Sequence, residues 1–248
     1  MIELRHISKT FNRNTPNEVK ALRDVNLKID SSRFVVIIGS NGSGKSSLLN
    51  AIAGSIDVTE GKIVVDDHEI THLEEYQRSK WIARIFQNPL MGTAPGLSIL
   101  ENFRLASVRT QSKKFSIGTN EKFRKKIRDK ISLLNLGLEN KVDQLMGTLS
   151  GGQRQALTLL MAVMDETKVL LMDEPAAALD PKTAELLMNL ADKIIREFHL
   201  TAFLITHQLK DALAYGDRLI LMQEGMVTKD LGQSEKAALQ LNDIFNWF

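Results

Sequence analysis

The stretch Phe34–Gly54, which reads FVVIIGSNGSGKSSLLNAIAG, decides the fold. Its first five residues, Phe34–Ile38, are all apolar and mostly β-branched, which is the pattern of a short strand buried on both faces. Glycines then interrupt the strand, and Lys45 opens a segment whose apolar residues recur at helical spacing. The stretch therefore predicts a buried strand, a glycine-rich turn and the start of a helix, in that order.

The glycine-rich turn matches the pattern G-x-x-x-x-G-K-[ST], which predicts a phosphate-binding loop. Glycines let successive backbone N–H groups converge on one concavity, and the helix dipole adds positive potential there. Lys45 would reach the β- and γ-phosphates, and the Ser46 hydroxyl would bind Mg²⁺. A chance match is the alternative, but the strand before the turn and the helix after it supply the context that the motif requires. The predicted phosphate-binding residues are Gly39, Ser40, Asn41, Gly42, Ser43, Gly44, Lys45, Ser46 and Ser47.

The composition is that of an ordinary soluble protein, with 43% apolar and 25% charged residues among 248. A net charge of +2 gives no reason to expect nucleic acid or an anionic membrane as the main partner. The chain has no cysteine, which excludes disulfides and thiolate metal sites. Its apolar runs are too short to span a membrane, so we expect any action at a membrane to depend on a partner.

The pattern of strands and helices indicates a mostly parallel α/β core that the chain leaves to build a helical lobe and then rejoins. The stretch 111–118 is polar and is expected to be mobile. The helix that follows it carries a basic run, which we interpret as a solvated face rather than a phosphate site. Strands are predicted at 2–7, 25–29, 34–38, 61–65 (continuing to 70), 82–87, 168–172, 201–206 and 218–223, and helices after Lys45, after Ser98, over 123–134, from Asp180 to about 198, over 207–215 and over 233–247.

Four polar positions follow predicted strand ends, namely Gly39, Gln87, Asp173 and His207. Because ligands of open α/β sheets bind beyond the carboxyl ends of the strands, we expect these four positions to meet at one site. His207 alone would be interpreted as a capping or core histidine, but in this set contact with a γ-phosphate is favoured. Gln87 is either a satisfied polar residue at a strand end or a ligand of Mg²⁺ or of the attacking water.

Adjacent acidic residues close the apolar strand that precedes Asp173. Because Mg²⁺ retains several waters, one carboxylate together with the Ser46 hydroxyl supplies enough protein ligands for it. Glu174 points differently from its neighbour and is the candidate general base that activates water for attack on the γ-phosphate. A solvated acidic turn is the alternative interpretation of the pair.

The segment Leu149-Ser150-Gly151-Gly152-Gln153 is the signature motif of the ATP-binding-cassette (ABC) family, which the chain resembles over nearly its whole length. The family's other motifs occur in the family's order. They are Walker A at 39–46, the Q-loop residue Gln87, Walker B at 170–173 followed by Glu174, the D-loop at 178–180 and the switch residue His207. Unrelated phosphate-loop proteins lack the signature, so the set is specific.

The resemblance implies an α/β fold of the ABC-type P-loop NTPases. Its mostly parallel core sheet would carry an antiparallel β subdomain and an inserted α-helical subdomain. The whole chain, 1–248, would form one ATPase domain. Residues 1–87 and 166–248 would make the core with its β subdomain, and residues 88–165 the helical subdomain with the signature. The implied cofactors are ATP and Mg²⁺.

The resemblance also implies a head-to-tail homodimer that sandwiches two ATP molecules. The signature residues Ser150, Gly151, Gly152 and Gln153 would bind the γ-phosphate of the ATP held by the opposite subunit. Phe11 stands where the family has an aromatic residue that stacks on adenine, with an ordinary packed aromatic as the alternative. The implied catalytic residues are Glu174, His207, Gln87 and Lys45, and the implied metal ligands are Ser46, Gln87 and Asp173.

Family members of this form energise membrane transporters, so we expect an ATP-hydrolysing subunit of a bacterial importer. It would lie on the cytoplasmic face of the membrane, with permease subunits contacting residues 88–103 and with a solute-binding protein in the complete system. No nucleic-acid partner is expected. The chain resembles ATPases of amino-acid-type uptake systems, including an aromatic-amino-acid group. An exporter and a soluble ATPase acting on ribosomes or DNA are the alternatives.

Overall fold

The computed structural model describes residues 1–108, 118–164 and 167–247. Their strands are β1 (Ile2–Phe11), β2 (Val19–Ile29), β3 (Phe34–Ile38), β4 (Glu60–Val65), β5 (His68–Glu69), β6 (Ile82–Ile85), β7 (Val169–Asp173), β8 (Thr201–Ile205), β9 (Arg218–Gln223) and β10 (Met226–Leu231). Their helices are α1 (Lys45–Ala53), α2 (Glu75–Arg78), α3 (Ile99–Ala106), α4 (Glu121–Ser132), α5 (Gly151–Ala162), α6 (Pro181–Glu197), α7 (Leu209–Ala214), α8 (Gln233–Ala237) and α9 (Leu241–Phe245).

The larger sheet has six strands in the order β10-β9-β3-β8-β7-β6. All neighbours are parallel except β10, which pairs antiparallel with β9. All five residues of β3 are buried, as its sequence predicts. Val35 and Ile37 pack into the core with α1, whereas Val36 and Ile38 pack into the core on the opposite face. The sheet is therefore covered on both sides, as apolar parallel strands require.

A second, antiparallel sheet has the order β2-β1-β4-β5. Its inward residues, among them Ile2, Leu4 and Leu27, share one apolar core with Leu48 and Leu49 of α1. The helix that follows the phosphate loop is thus enclosed between the two sheets. Both β1 and β2 are longer than the sequence predicts, because β-bulges let them continue past the apolar segments.

The described residues between β6 and β7 contain the helices α3, α4 and α5, in line with the predicted helical lobe. Ser98 caps α3 with its side chain, which confirms that helix start. Phe103, Ile127, Ile131 and Leu157 join the three helices to the core beneath the large sheet. Of the stretch expected to be mobile, residues 111–117 lie outside the described residues.

Further predicted boundaries were wrong. The strand predicted to continue from 61 to 70 is two antiparallel strands, β4 and β5, with a turn at 66–67 between them. Strand β6 ends at Ile85 rather than at residue 87. Helix α7 begins at Leu209 rather than at residue 207, because the Thr206 hydroxyl accepts a hydrogen bond from the Gln208 N–H and holds the chain extended there. The expected closing helix over 233–247 is two short helices, because Gln240 is extended and its N–H donates to the Asp243 carboxylate, which caps the start of α9.

A buried arginine fixes the end of α1. The Arg78 guanidinium donates hydrogen bonds to the carbonyl oxygens of Ala51 and Ile52, at 2.6 and 3.0 Å, in the last turn of α1. It also donates to the carbonyls of Thr71 and Leu73, so its charge is surrounded by acceptors. A Cβ at Gly54 would lie 2.7 Å from Arg78 Nε, which is why glycine ends this helix.

Replacing this arginine tests its role in the fold. Arg78→Met would leave helix-end carbonyls buried without donors, so we expect the free energy of unfolding to fall by about 3 kcal/mol. Urea denaturation followed by circular dichroism measures it. The control Arg5→Met removes an exposed guanidinium from a surface ion pair and should change nothing measurable. Equal effects of the two variants would show that the buried hydrogen bonds of Arg78 do not stabilise the fold.

Candidate functional site

The loop between β3 and α1 is glycine-rich because its backbone lies against other strands. A Cβ at Gly39 would lie 2.3 Å from the Met222 carbonyl oxygen of β9, and one at Gly44 would lie 2.5 Å from the Ala21 carbonyl oxygen of β2. Both residues have positive φ, 155° and 99°. Only glycine meets both conditions without strain, so the two sheets together fix the path of this loop.

Lys45 lies under the loop that it follows. Its Nζ donates to the carbonyl oxygens of Gly39 and Ser40 at 2.8 and 2.9 Å, and its side chain is buried. Burial lowers the pKa of the Lys45 ammonium, and the carboxylates of Glu174 and Asp173 oppose that shift. An ammonium has three donors, so one of them stays available for a phosphate oxygen.

Ser46 and Asp173 come together although 127 positions separate them in the chain. The Ser46 hydroxyl lies 3.3 Å from Asp173 Oδ1, at the end of β7. A hydroxyl and a carboxylate are hard oxygen donors, which fits Mg²⁺ with water and phosphate oxygens as its other ligands. In the part of the chain that the structure describes, no cluster of three or more His, Cys, Asp or Glu could hold a metal by itself.

Glu174 and His207 are in hydrogen-bonding contact, with 2.8 Å between Oε1 and Nε2. Glu174 has a φ of 50°, an uncommon left-handed conformation for a residue other than glycine. Its backbone N–H donates to the Ile205 carbonyl of the neighbouring strand, which supports that conformation. The turn therefore directs the two side chains to each other beyond the ends of β7 and β8.

One open cleft of about 340 Å³ is lined by Lys45, Ser46, Glu174 and His207 among others. The loop forms its floor, and Phe11 at the end of β1 stands at its edge. The Phe11 ring also has Lys9 Nζ 5.0 Å from its centroid. The residues that line the cleft are Phe11, Val19, Lys20, Ala21, residues 41–47, Glu174 and His207. The structure thus brings Phe11, the loop, Glu174 and His207 to one place.

Several predicted site residues lie outside the lining of this cleft. Gly39 and Ser40 line a neighbouring depression, and Asp173 contacts the cleft residue Ser46. Gln87 is exposed on the segment that follows β6. The signature residues lie at the start of α5, where Ser150 and Gln153 form a capping box. A Cβ at Gly152 would lie 2.2 Å from Thr183 Cγ2, so the start of α5 packs tightly against the start of α6.

Sequence reasoning missed two buried polar residues beside the site. Gln155 of α5 donates through Nε2 to the carbonyl oxygens of Phe86, at 2.7 Å, and Pro175, at 3.0 Å. Arg84 of β6 approaches Asp173 Oδ2 to 3.4 Å. Each interrupts an otherwise apolar, inward-facing pattern, and that interruption is the signal that would have found them.

A buried parallel strand, a glycine loop against a helix start and strand-end carboxylates define a P-loop nucleotide-binding protein. A family model described as ABC transporter matches residues 22–177. The chain belongs to this family, and its fold class and its expected role as an ATP-binding, ATP-hydrolysing cassette are confirmed. None of the helices within the described ranges has the length and apolar character that crossing a membrane requires.

Relatives of known name match the chain along its full length. It is 40% identical to the tyrosine transport ATP-binding protein of Clostridioides difficile (strain R20291), covering 100% of this chain and 98% of that protein. It is 35% identical to the phosphonates import ATP-binding protein PhnC of Lactococcus lactis subsp. lactis (strain IL1403), covering 98% and 97%.

Solved structures of similar shape are also ATP-binding cassettes. A dimeric post-hydrolysis state of the cassette MJ0796, bound to ADP and Pi, has a TM-score of 0.80 at 30% identity, covering 94% of this chain and 99% of that one. The cassette MJ1267 has a TM-score of 0.81 at 27% identity, covering 100% and 98%.

The contact between Gly152 and Thr183 yields a test of how the signature is positioned. Gly152→Ala should lower the free energy of unfolding by about 1–3 kcal/mol, because the new methyl group overlaps Thr183 Cγ2. The double variant Gly152→Ala/Thr183→Ser removes that methyl and should recover most of the loss. Thermal denaturation of both variants, with Thr183→Ser alone as control, measures the recovery. A double variant as unstable as Gly152→Ala would contradict the packing role.

Proposed function

We propose that this protein is the Mg²⁺-dependent ATPase subunit of a membrane importer and works as a head-to-tail homodimer. The observation that carries the proposal is the Glu174–His207 pair, which faces the phosphate loop across one cleft. A carboxylate next to bound phosphates is suited to accept a proton from attacking water. The loop alone would bind a nucleotide, and the pair adds the groups needed to cleave it.

Each polar group at the cleft has a role in this proposal. Lys45 donates its remaining N–H to the β- and γ-phosphates, and Glu174 accepts the proton of the attacking water. His207 holds Glu174 at 2.8 Å and contacts the γ-phosphate when ATP is bound. Ser46 and Asp173 would hold Mg²⁺, which would supply positive charge against the phosphates. Gln87 completes the metal or water contacts once its segment moves toward the cleft.

The position of the signature supports the proposed dimer. Its residues lie away from the cleft of their own chain, while the cleft is open on the side that solvent reaches. The start of α5 offers the Ser150 hydroxyl and free N–H groups, which suit an anion. We propose that these groups cover the nucleotide held by a second copy. The dimeric solved structure of similar shape supports this arrangement.

We propose permease subunits as the membrane partners, and a surface groove is the proposed site at which they contact this chain. A depression of about 490 Å³ runs between β6 and the helical segment, and Gly92, Thr93, Ala94 and Leu105 lie on its wall. Three apolar side chains on this wall or just before Gly92 in the sequence are at least half exposed, namely Leu90, Met91 and Leu105. Exposed apolar side chains beside a groove suit an inserted helix. Residues 88–165 would then form the helical subdomain that joins this groove to the signature.

We propose that the imported substrate is an amino acid. The relative that matches at 40% identity is named for tyrosine transport, and the relative at 35% for phosphonate import. The cleft described above binds nucleotide rather than cargo, so selectivity would belong to the permease and to a solute-binding protein. The ATPase would remain on the cytoplasmic face, attached through the permease.

The catalytic role of Glu174 is tested by Glu174→Gln. This change removes the base and retains the volume, so ATP hydrolysis should fall about a hundredfold or more. Nucleotide binding should persist, and size-exclusion chromatography with ATP should show a stable dimer. Lys45→Ala is the matched control, which should lose nucleotide affinity in a fluorescent-ATP titration. Hydrolysis by Glu174→Gln at the wild-type rate would refute the assignment.

The partner and the substrate are tested in one preparation. The tagged protein, extracted from the membranes of its own cells in mild detergent, should bring down a permease. Reconstituted with the matching solute-binding protein, that complex should hydrolyse ATP faster when tyrosine is added than when a phosphonate is added. Recovery of the free cassette alone would contradict the transporter role. Stimulation by the phosphonate alone would contradict the amino-acid assignment.

A further inference from the structure

Arg84 is an arginine in the middle of an apolar strand that ends beside the metal-binding carboxylate. Its neighbours Ile82, Ala83 and Ile85 are buried, and its own side chain is only 13% exposed. Removing a guanidinium from water costs free energy unless charge partners and hydrogen bonds compensate for it. A position of this kind is therefore informative, because leucine or methionine would be accommodated there at no such cost.

The guanidinium has several partners, but none of them holds it tightly. Its Nη2 lies 3.4 Å from Asp173 Oδ2, and its Nη1 lies 3.4 Å from Ser55 Oγ. Its Cζ lies 4.6 Å from the centroid of the Phe86 ring. Nε is buried and has no hydrogen-bond partner among the residues that the structure describes. Both polar contacts are longer than the usual 2.7–2.9 Å of charge-assisted bonds, so Arg84 acts on Asp173 mainly through its charge rather than through a tight hydrogen bond.

The two oxygens of Asp173 face different groups. Oδ1 lies 3.3 Å from the Ser46 hydroxyl, and Oδ2 faces Arg84. A divalent cation held between Ser46 and Asp173 would thus share this carboxylate with a positive charge that is largely buried. At such separations in a partly buried site, a unit charge alters the affinity for an ion substantially.

We propose that Arg84 is a positioning residue for the metal: its charge orients Asp173 and weakens the affinity of the site for a divalent cation. The inference rests on the metal site of the proposed function and deepens it. With Oδ2 engaged by Arg84, Oδ1 stays directed at Ser46 and at the phosphate loop. The same charge repels the cation, so the cation remains bound only while nucleotide phosphates add their negative charge.

The experiment measures how Mg²⁺ affects nucleotide binding, without any turnover. The full-length protein is titrated with fluorescent N-methylanthraniloyl-ADP in EDTA and then at increasing free Mg²⁺. Arg84→Met removes the charge at similar length, so half-maximal enhancement of binding should need about tenfold less Mg²⁺ than in the wild type. Arg84→Lys keeps a positive charge and should stay within about twofold of the wild type.

The nucleotide affinity in EDTA shows whether Arg84 acts on the metal or on the phosphates. It should be the same in all three proteins, since Arg84 acts on the metal rather than on the phosphates. Arg218→Met is the matched control, because Arg218 pairs with Asp230 on β9 and β10, outside the residues that line the cleft. It should leave the Mg²⁺ dependence unchanged. Thermal denaturation checks that each variant is folded.

The results that would overturn the inference are distinct from those that would overturn the proposed function. An unchanged or weaker response to Mg²⁺ in folded Arg84→Met would refute the positioning role. Loss of affinity in EDTA would also refute it and would place Arg84 on the phosphates. If the wild type bound no nucleotide in either condition, the proposed function itself would fail. If Arg84→Lys behaved like Arg84→Met, the shape of the side chain rather than its charge would be responsible.

Discussion

The parallel pairing of β3 with β8 and β9 is the interaction on which the rest of the structure depends. β3 is buried along its whole length and forms backbone hydrogen bonds to a strand on each side. Parallel strands end at the same edge of a sheet, so the loop after β3 and His207 after β8 emerge side by side. β7 is the next strand along, and it adds Asp173 and Glu174. The cleft is a consequence of strand order.

Much of this arrangement was predictable because its signals are local. A five-residue apolar strand, a glycine loop and a helix start are each visible within about twenty residues. Side-chain caps are equally local, which is why Ser98 and Asp180 mark their helix starts correctly. Strand-end polar residues extend the prediction over longer distances, since the parallel sheet brings them together.

The parts that the sequence did not reveal depend on contacts between distant residues. Arg78, Arg84 and Gln155 are buried polar residues whose partners lie far along the chain or on main-chain carbonyls. No local pattern specifies such partners. Lys236 is a further example, because its buried ammonium donates to carbonyls 20 and 21 positions away.

Gln155 has a mechanical consequence. One amide nitrogen on α5 is bonded both to the Phe86 carbonyl, just before Gln87, and to the Pro175 carbonyl, just after Glu174. The helix that begins with the signature is thereby hydrogen-bonded to both segments through one side chain. In the proposed dimer, the signature at the start of this helix binds the nucleotide held by the second copy. A tilt of the helix on that binding would strain the turn at Glu174, which acts on the nucleotide held by its own chain. The two sites would then be coupled through α5, which favours ATP hydrolysis either at both sites together or at the two sites in strict alternation.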